Sequence, residues 1–168
     1  MIRLYNVKEN YISYLRSFDS KVLHNKNEKR PYVGVVCVVN STNYYVPLAS
    51  PKKKYMHMSN SKDFHKIAGG KYGVINFNNM IPIDDDKLIK INIQNETDKF
   101  YRNLLQNQYN ALITIENTIC KKASGIYNLY VTKNELSSND AKIKSRCCNF
   151  PLLEKKMREL LVDNNSSK

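Results

Sequence analysis

The apolar and polar positions divide the chain into two unlike halves. Residues 2–7 are short and mixed, as a strand is. Tyr11, Tyr14, Leu15 and Phe18 then fall at i, i+3, i+4 and i+7, the spacing of one helix face. After a polar stretch that begins at Lys21 and ends at Pro31, Tyr32 to Val39 is apolar and β-branched enough for a buried strand. Asn40 to Asn43 supplies turn chemistry and Tyr44 to Leu48 returns as a second strand, so the pair reads as a hairpin. Ser50-Pro51 closes it, because proline lacks a backbone donor and biases the residue before it away from helix. The lysines beyond are expected to leave the sheet as a loop. Residues 55–70 carry no clear period, Gly73 to Phe77 and Met80 to Ile83 read as short strands, and Asp84-Asp85-Asp86 reads as a turn. Leu88 to Ile93 alternates as an edge or half-buried strand does.

Helical spacing dominates the second half. From Thr97, a candidate N-cap, Tyr101, Leu104, Leu105, Tyr109, Leu112, Ile115 and Ile119 hold it for more than five turns. Gly125 is expected to break this helix, with a shorter one running to Leu136 and a loop over Ser137 to Asp140. Asn149, with Pro151 in the first turn, opens a last helix bearing Leu153, Met157, Leu160 and Leu161. Strands first and helices second predict an α+β fold rather than alternating β-α units. The expectation is a compact, twisted, mostly antiparallel sheet packed by helices, with a long helix in the second half and a C-terminal helix. One domain is expected over residues 1–163, followed by a disordered tail at 164–168.

With 27 Lys+Arg against 15 Asp+Glu, the 168 residues carry a formal charge of +12. Such a surplus concentrates polyanions around the protein. An AT-rich genome would also supply lysine codons, a plainer origin to which the 22 asparagines lend weight. Position favours nucleic acid: Lys26, Lys29 and Arg30 precede the hairpin and Lys52-Lys53-Lys54 follow it. Twelve tyrosines offer stacking surfaces to unpaired bases, which duplex DNA would not present, although most are expected in the core. RNA is therefore the expected partner and DNA is not. The longest apolar run, Val33 to Val39, is far short of the roughly 20 residues a membrane helix needs, and the start lacks a signal-peptide core. No membrane partner and a cytoplasmic location are expected. Cys37, Cys120, Cys147 and Cys148 form no CxxC pair; Cys37 reads as core, and of the adjacent pair one is expected buried and one exposed. Three histidines and one acidic cluster supply a metal site poorly, so neither a metal nor a cofactor is expected. The absence of GxxxxGK[ST], GxGxxG and GxSxG removes nucleotide-fold and serine-hydrolase readings.

The segment Tyr44 to Lys54 delivers a hydroxyl and several ammonium groups to the end of one strand. RNA carries its own nucleophile, the 2'-hydroxyl, so cutting it demands in-line geometry and charge stabilisation at phosphorus. In that chemistry Lys52 would neutralise the phosphorane oxygens, Ser50 would hydrogen-bond the phosphate or the attacking hydroxyl, and Arg30 would clamp the phosphate with two donors. Lys53 and Lys54 would hold the RNA backbone. Three alternatives stand beside this: Ser-Pro-Lys as a solvated turn, His57 and His65 as a general acid-base pair, and a non-catalytic basic RNA-binding module.

Five stretches carry a family resemblance: Tyr11-Ile-Ser-Tyr-Leu-Arg with Asp19, Lys21 and Val22; Arg30-Pro-Tyr-Val-Gly-Val; Tyr45-Val-Pro-Leu-Ala-Ser-Pro-Lys; Gly73-Val-Ile-Asn-Phe-Asn-Asn-Met-Ile-Pro-Ile; and Cys147-Cys-Asn-Phe-Pro-Leu-Leu-Glu. In that order they resemble the ToxN/AbiQ endoribonuclease toxins of type III toxin-antitoxin and phage abortive-infection systems. The resemblance implies a sheet similar to the Kid/MazF toxins, as a partial barrel, and metal-independent cleavage of A-rich messenger RNA to 2',3'-cyclic phosphate and 5'-hydroxyl ends. It implies as partner a repeat-derived RNA antitoxin, processed into pseudoknots that assemble with the toxin into closed or extended complexes. The family's Thr-Ser-x-Lys motif places its serine on Ser50 and its lysine on Lys52, with Ala49 replacing the threonine. Its basic residue before the Tyr-Val-Gly-Val strand falls on Arg30. The tyrosine-containing loop before that residue has no counterpart among Asn25 to Lys29. RNA contacts are implied for Lys29, Tyr32, Lys53, Lys54, Gln108 and Tyr109, Tyr109 also belonging to an apolar helix face.

Overall fold

A computed structural model describes residues 2–166, for Val35 and residues 163–166 the backbone alone. Seven strands, β1 (Arg3–Val7), β2 (Tyr32–Val39), β3 (Thr42–Ala49), β4 (Phe64–Lys66), β5 (Val74–Asn76), β6 (Ile81–Pro82) and β7 (Leu88–Lys90), form an antiparallel sheet in the order β4-β5-β3-β2-β1-β7, with β6 also pairing β3. The sheet stays open, with β4 and β7 at its edges. Six helices pack it: α1 (Glu9–Phe18), α2 (Lys53–His57), α3 (Lys99–Thr114), α4 (Glu116–Val131), α5 (Ser138–Arg146) and α6 (Phe150–Ser166). The expected tail is helical as far as Ser166, and residues 167 and 168 lie outside the described residues.

The β2-β3 hairpin is the centre of the sheet. Its turn is only Asn40-Ser41, both at positive φ (48° and 62°), and its ladder runs from Val39 against Thr42 to Tyr32 against Pro47. Two left-handed residues match the twist of the strands they join. Tyr44 on β3 packs its ring against Tyr127 of α4 and Phe150 of α6, centroids 5.6 and 5.8 Å away. Its hydroxyl donates to the buried Glu154 carboxylate (2.7 Å), which also accepts from Tyr127 (3.0 Å). Burial and that carboxylate together hold the Tyr44 hydroxyl in its protonated form. Each such ring adds about 2–3 kcal/mol of apolar burial.

Five expectations are corrected. The lysines after Pro51 do not form a loop: Lys53 to His57 coil into α2, anchored by buried Tyr55 against Phe64 (5.9 Å). The long helix breaks at Ile115 (φ −118°, ψ 18°) rather than at Gly125, which lies inside α4. The physical reason is the β-branched run Ile113-Thr114-Ile115, in which the Thr114 hydroxyl donates to the Ala111 carbonyl (2.8 Å) and competes with the helical ladder. The cap of α3 is Asp98, whose carboxylate accepts from the amides of Phe100 and Tyr101, and not Thr97. Ser137 caps α5 by accepting from Asp140 N (3.2 Å), where a loop was expected, because a helix burying only Ile143 leaves little periodicity. Cys147 and Cys148 are both buried, Cys148 N donating to Asn78 O (2.8 Å), so neither of the pair faces solvent.

Several of the motif residues serve architecture. Lys21 Nζ donates to Cys147 O (3.0 Å), Asn79 Nδ2 to Lys21 O (3.0 Å) and Asn149 N to Asp19 Oδ2 (2.6 Å). Asn149 also caps α6, accepting from Leu152 N. The stretches around Asp19, Asn79 and Cys147 thus form one seam that locks the C-terminal helix to the rest of the fold.

Candidate active site at the hairpin rim

The open end of β3 carries the candidate chemistry. Leu48 and Ala49 pair with Ile75 and Val74 of β5, and Leu48 N donates to Pro31 O (2.9 Å), which fixes the last strand residues on both sides. Gly73 backs this end: at φ +95° it lies so close that a Cβ there would come within 2.0 Å of Ala49 O. Only glycine allows that approach. Immediately beyond, Ser50 and Lys52 emerge exposed, Lys52 extended (φ −142°, ψ 143°) as the residue that leads into α2.

Arg30 joins them from the other side of the hairpin. It is half-buried, its Nε donating to His24 O (2.7 Å) and its Nη1 to Leu48 O (3.2 Å). The second bond places the guanidinium two residues before Ser50. Burial lowers its pKa, yet an arginine stays charged throughout any working range. The remaining donors of its planar fork are what it offers a phosphate.

The segment before Arg30 has an unusual backbone. Lys26, Asn27 and Glu28 stand consecutively at φ 56°, 54° and 63°. For residues other than glycine each left-handed position costs about 1–2 kcal/mol. Bonds at both ends hold the turn. Asn25 is buried with Nδ2 donating to Val7 O (2.6 Å), Arg30 N donates to Asn25 O (3.1 Å), and Glu28 Oε1 accepts from Glu9 N (2.8 Å) at the start of α1. Lys29 is exposed and its carbonyl accepts from the Tyr101 hydroxyl (3.3 Å), which draws the first turn of α3 against the rim. The sequence named Lys26 only as part of the basic cluster before the hairpin and gave it no place in the site. Its signal was three-dimensional, because burial and then the charges of Arg30 and Lys52 lower its pKa.

The remaining sequence-derived residues divide. Lys53 and Lys54 are exposed on α2, Lys54 lining a groove of about 510 Å³ with Tyr55, Asp63, Asn78 and Arg146. Tyr32, expected at the RNA surface, is instead a core residue at 1 % exposure, since its position in β2 faces inward. Gln108 is likewise buried at 2 %, its Nε2 donating to Tyr72 O (2.8 Å), so it braces the turn that leads to Gly73 rather than meeting RNA. Tyr109 is half-buried and lines a separate groove of about 530 Å³ with Arg3, Lys90, Asn92, Gln94 and Gln106.

His57 is exposed at the end of α2, and His65 is half-buried on β4. Phe64 turns its ring to Tyr55 of α2, so strand alternation sends the next residue, His65, to the other face. There burial and then the Lys122 charge lower the His65 pKa. Among the described residues no three His, Cys, Asp or Glu side chains come together as a metal site, and no helix is long and apolar enough to cross a membrane.

The open, helix-backed antiparallel sheet carries a cationic rim, a surface that attracts polyanions. Residues 3–158 match the family model for toxin ToxN of type III toxin-antitoxin systems, and the chain belongs to that family. It is 34% identical over 161 residues to endoribonuclease ToxN of Bacillus thuringiensis subsp. kurstaki, covering 94% of this chain and 83% of that one. It is 30% identical over 166 residues to endoribonuclease AbiQ of Lactococcus lactis subsp. lactis (92% and 87% covered). A solved structure concerned with selective toxin inhibition by a non-coding RNA pseudoknot superposes with a TM-score of 0.85 at 34% identity, over 95% of this chain and 97% of that one. The structure of AbiQ, described as a lactococcal anti-phage endoribonuclease, gives 0.78 at 29%, over 95% and 98%.

Proposed function

We propose that the chain is a metal-independent endoribonuclease toxin of a type III system, acting in the cytoplasm, in which the 2'-hydroxyl of A-rich RNA attacks the adjacent phosphodiester. The bond from the 2'-oxygen to phosphorus forms and the bond to the 5'-oxygen breaks, leaving a 2',3'-cyclic phosphate and a 5'-hydroxyl. One proton leaves the 2'-oxygen and one arrives on the 5'-oxygen. Arg30 and Lys52 carry the charge that builds on the non-bridging oxygens, and Ser50 holds the phosphate or the attacking hydroxyl. Lys29, Lys53 and Lys54 hold the flanking backbone. The observation that carries this reading is the meeting of Arg30 with the end of β3, its Nη1 3.2 Å from Leu48 O beside exposed Ser50 and Lys52. Preorganised cations at a developing charge contribute several kcal/mol each. Ala49 leaves that work without the threonine hydroxyl other members carry, and Ser50 is the hydroxyl that remains.

The same surface takes the inhibitor. A charge of +12 calls for an anionic neutraliser, and relatives of similar sequence and fold are described with a non-coding RNA pseudoknot and with anti-phage activity. For this chain the partner is a repeat-derived pseudoknot RNA in a closed or extended assembly, and the role is phage defence. Tandem repeats directly upstream of the coding sequence would support that pairing.

The test is cleavage of A-rich RNA by purified protein in EDTA, beside a substrate with a 2'-deoxy sugar at the cut position. Cutting of the first and sparing of the second are expected. Lys52→Ala should lower the rate roughly 10²–10³-fold, while His57→Ala with His65→Ala leaves it. A metal requirement, or cutting of the deoxy substrate, refutes 2'-hydroxyl attack. Binding without cleavage would leave an RNA-binding module.

A further inference from the structure

The left-handed turn Lys26–Glu28 has no explanation in the packing of the core. Its first residue is an exposed lysine, its second an exposed asparagine, and the whole turn is pinned by the Glu28 carboxylate on Glu9 N and by Asn25 beneath. A chain that merely linked α1 to β2 would have no reason to hold three non-glycine residues at positive φ. Strain of this kind persists where the surroundings over-determine it, and it gathers at functional sites. What the turn achieves is to fold Lys26 back onto the stretch that carries Arg30, Lys29 N donating to Lys26 O (3.3 Å) and Arg30 N to Asn25 O (3.1 Å). Those cations also share an electrostatic problem. Among the described residues, none of Lys26, Lys29, Arg30 and Lys52 has a carboxylate within ion-pair distance. Like charges gathered without counter-ions repel one another, and an anion placed among them removes that cost.

We propose that Lys26 is a further RNA-binding residue of this rim, held by the strained turn so that its ammonium contacts a phosphate of the bound strand next to the one that Arg30 and Lys52 engage. The inference rests on the nuclease reading above and adds a contact that the sequence motifs do not contain. Burial and the two neighbouring cations push the Lys26 pKa down, in keeping with an amine crowded among cations. Its role is charge, not proton transfer, so a guanidinium in its place should serve.

Three variants separate the possibilities: Lys26→Gly, Lys26→Arg and Lys52→Ala. Affinity is read on RNA made uncleavable by a 2'-deoxy sugar at the cut position, across a salt series, and turnover is read on all-ribose RNA. Lys26→Gly removes the amine and relieves the left-handed strain, so its melting temperature should rise by roughly 2–4 °C while KM for RNA rises about 5–10-fold and kcat changes less. The slope of log affinity against log salt should fall by about 0.7, the share of one lost contact to a single strand. Lys26→Arg should restore both affinity and slope. A Lys26→Gly protein that is more stable and keeps its affinity and salt slope, beside a Lys52→Ala protein that has lost cleavage, overturns this inference and leaves the hairpin site standing. An unaffected Lys52→Ala overturns both. Failure of Lys26→Arg to restore binding also overturns the charge role.

Discussion

Gly73→Ala tests whether the backing of β3 is what places the candidate hydroxyl. The new methyl group would stand 2.0 Å from Ala49 O, well inside van der Waals contact, on a residue at φ +95°. A left-handed alanine costs about 1–2 kcal/mol, and forcing backbone apart in a packed region adds about 1–3 kcal/mol. Together they predict a loss of about 2–5 kcal/mol, which in a domain of this size lowers the melting temperature by roughly 5–15 °C. Gly69→Ala is the matched control: φ is +67° but nothing lies within 4 Å of the added carbon. It incurs only the conformational cost, about 1–2 kcal/mol, and should keep full cleavage. In Gly73→Ala the Ala49 carbonyl must move, and Ser50 is the next residue. A misplacement of about 1 Å at a reacting centre costs on the order of 10²-fold in rate. Thermal melts followed by circular dichroism give the first quantity, and RNA cleavage well below both melting temperatures gives the second. If Gly73→Ala melts with Gly69→Ala and cuts RNA as fast, the contact between the glycine and Ala49 does not position the rim.

Other outcomes follow from the same packing. Glu154→Leu strands the buried hydroxyls of Tyr44 and Tyr127, at about 1–3 kcal/mol each, whereas Glu154→Gln keeps an oxygen acceptor and should lose less on urea titration. Gly125→Ala fills open space on α4 and should stabilise the protein by about 1 kcal/mol, an increase visible in the melting temperature. Asp98→Ala removes the cap that accepts from Phe100 N and Tyr101 N, at about 1 kcal/mol. Burial pushes the Cys147 thiol up to about 11 from an ordinary value of 9.0. A group that holds its proton more tightly when folded stabilises fully below pH 9 and loses that contribution as the pH climbs towards 11. Urea stability should therefore decline across that window, and Cys147→Ala should flatten the decline.

The hairpin was legible because its two signals agree: a β-branched run with a return, and Asn-Ser at the tip, where the backbone needs positive φ. The end of α3 was not, since Gly125 carries the stronger local helix-breaking reputation and the competing bond from Thr114 to Ala111 leaves no mark in residue spacing. Polar α5 escaped for the opposite reason, having a cap but almost no apolar face. At the site, residues tied to the strand end by sequence order, Ser50 and Lys52, could be named in advance. Burial of Tyr32 and Gln108 could not, because a tyrosine in a strand or a glutamine on a helix faces either way until the neighbouring elements are placed. Lys26 could be named as one of a basic cluster, but the left-handed turn that folds its backbone against Arg30 leaves no mark in residue spacing.

The seam from Asp19 and Lys21 to Cys147 and Asn149, with Glu154 beneath Tyr44, has a consequence for synthesis. A growing polypeptide leaves the ribosome from its amino end, so the central hydroxyl waits without its acceptor until Glu154, 110 residues further on, has emerged. A nascent fragment that ends before α6 therefore lacks the support on which the finished sheet relies, and maturation is postponed until that helix is made.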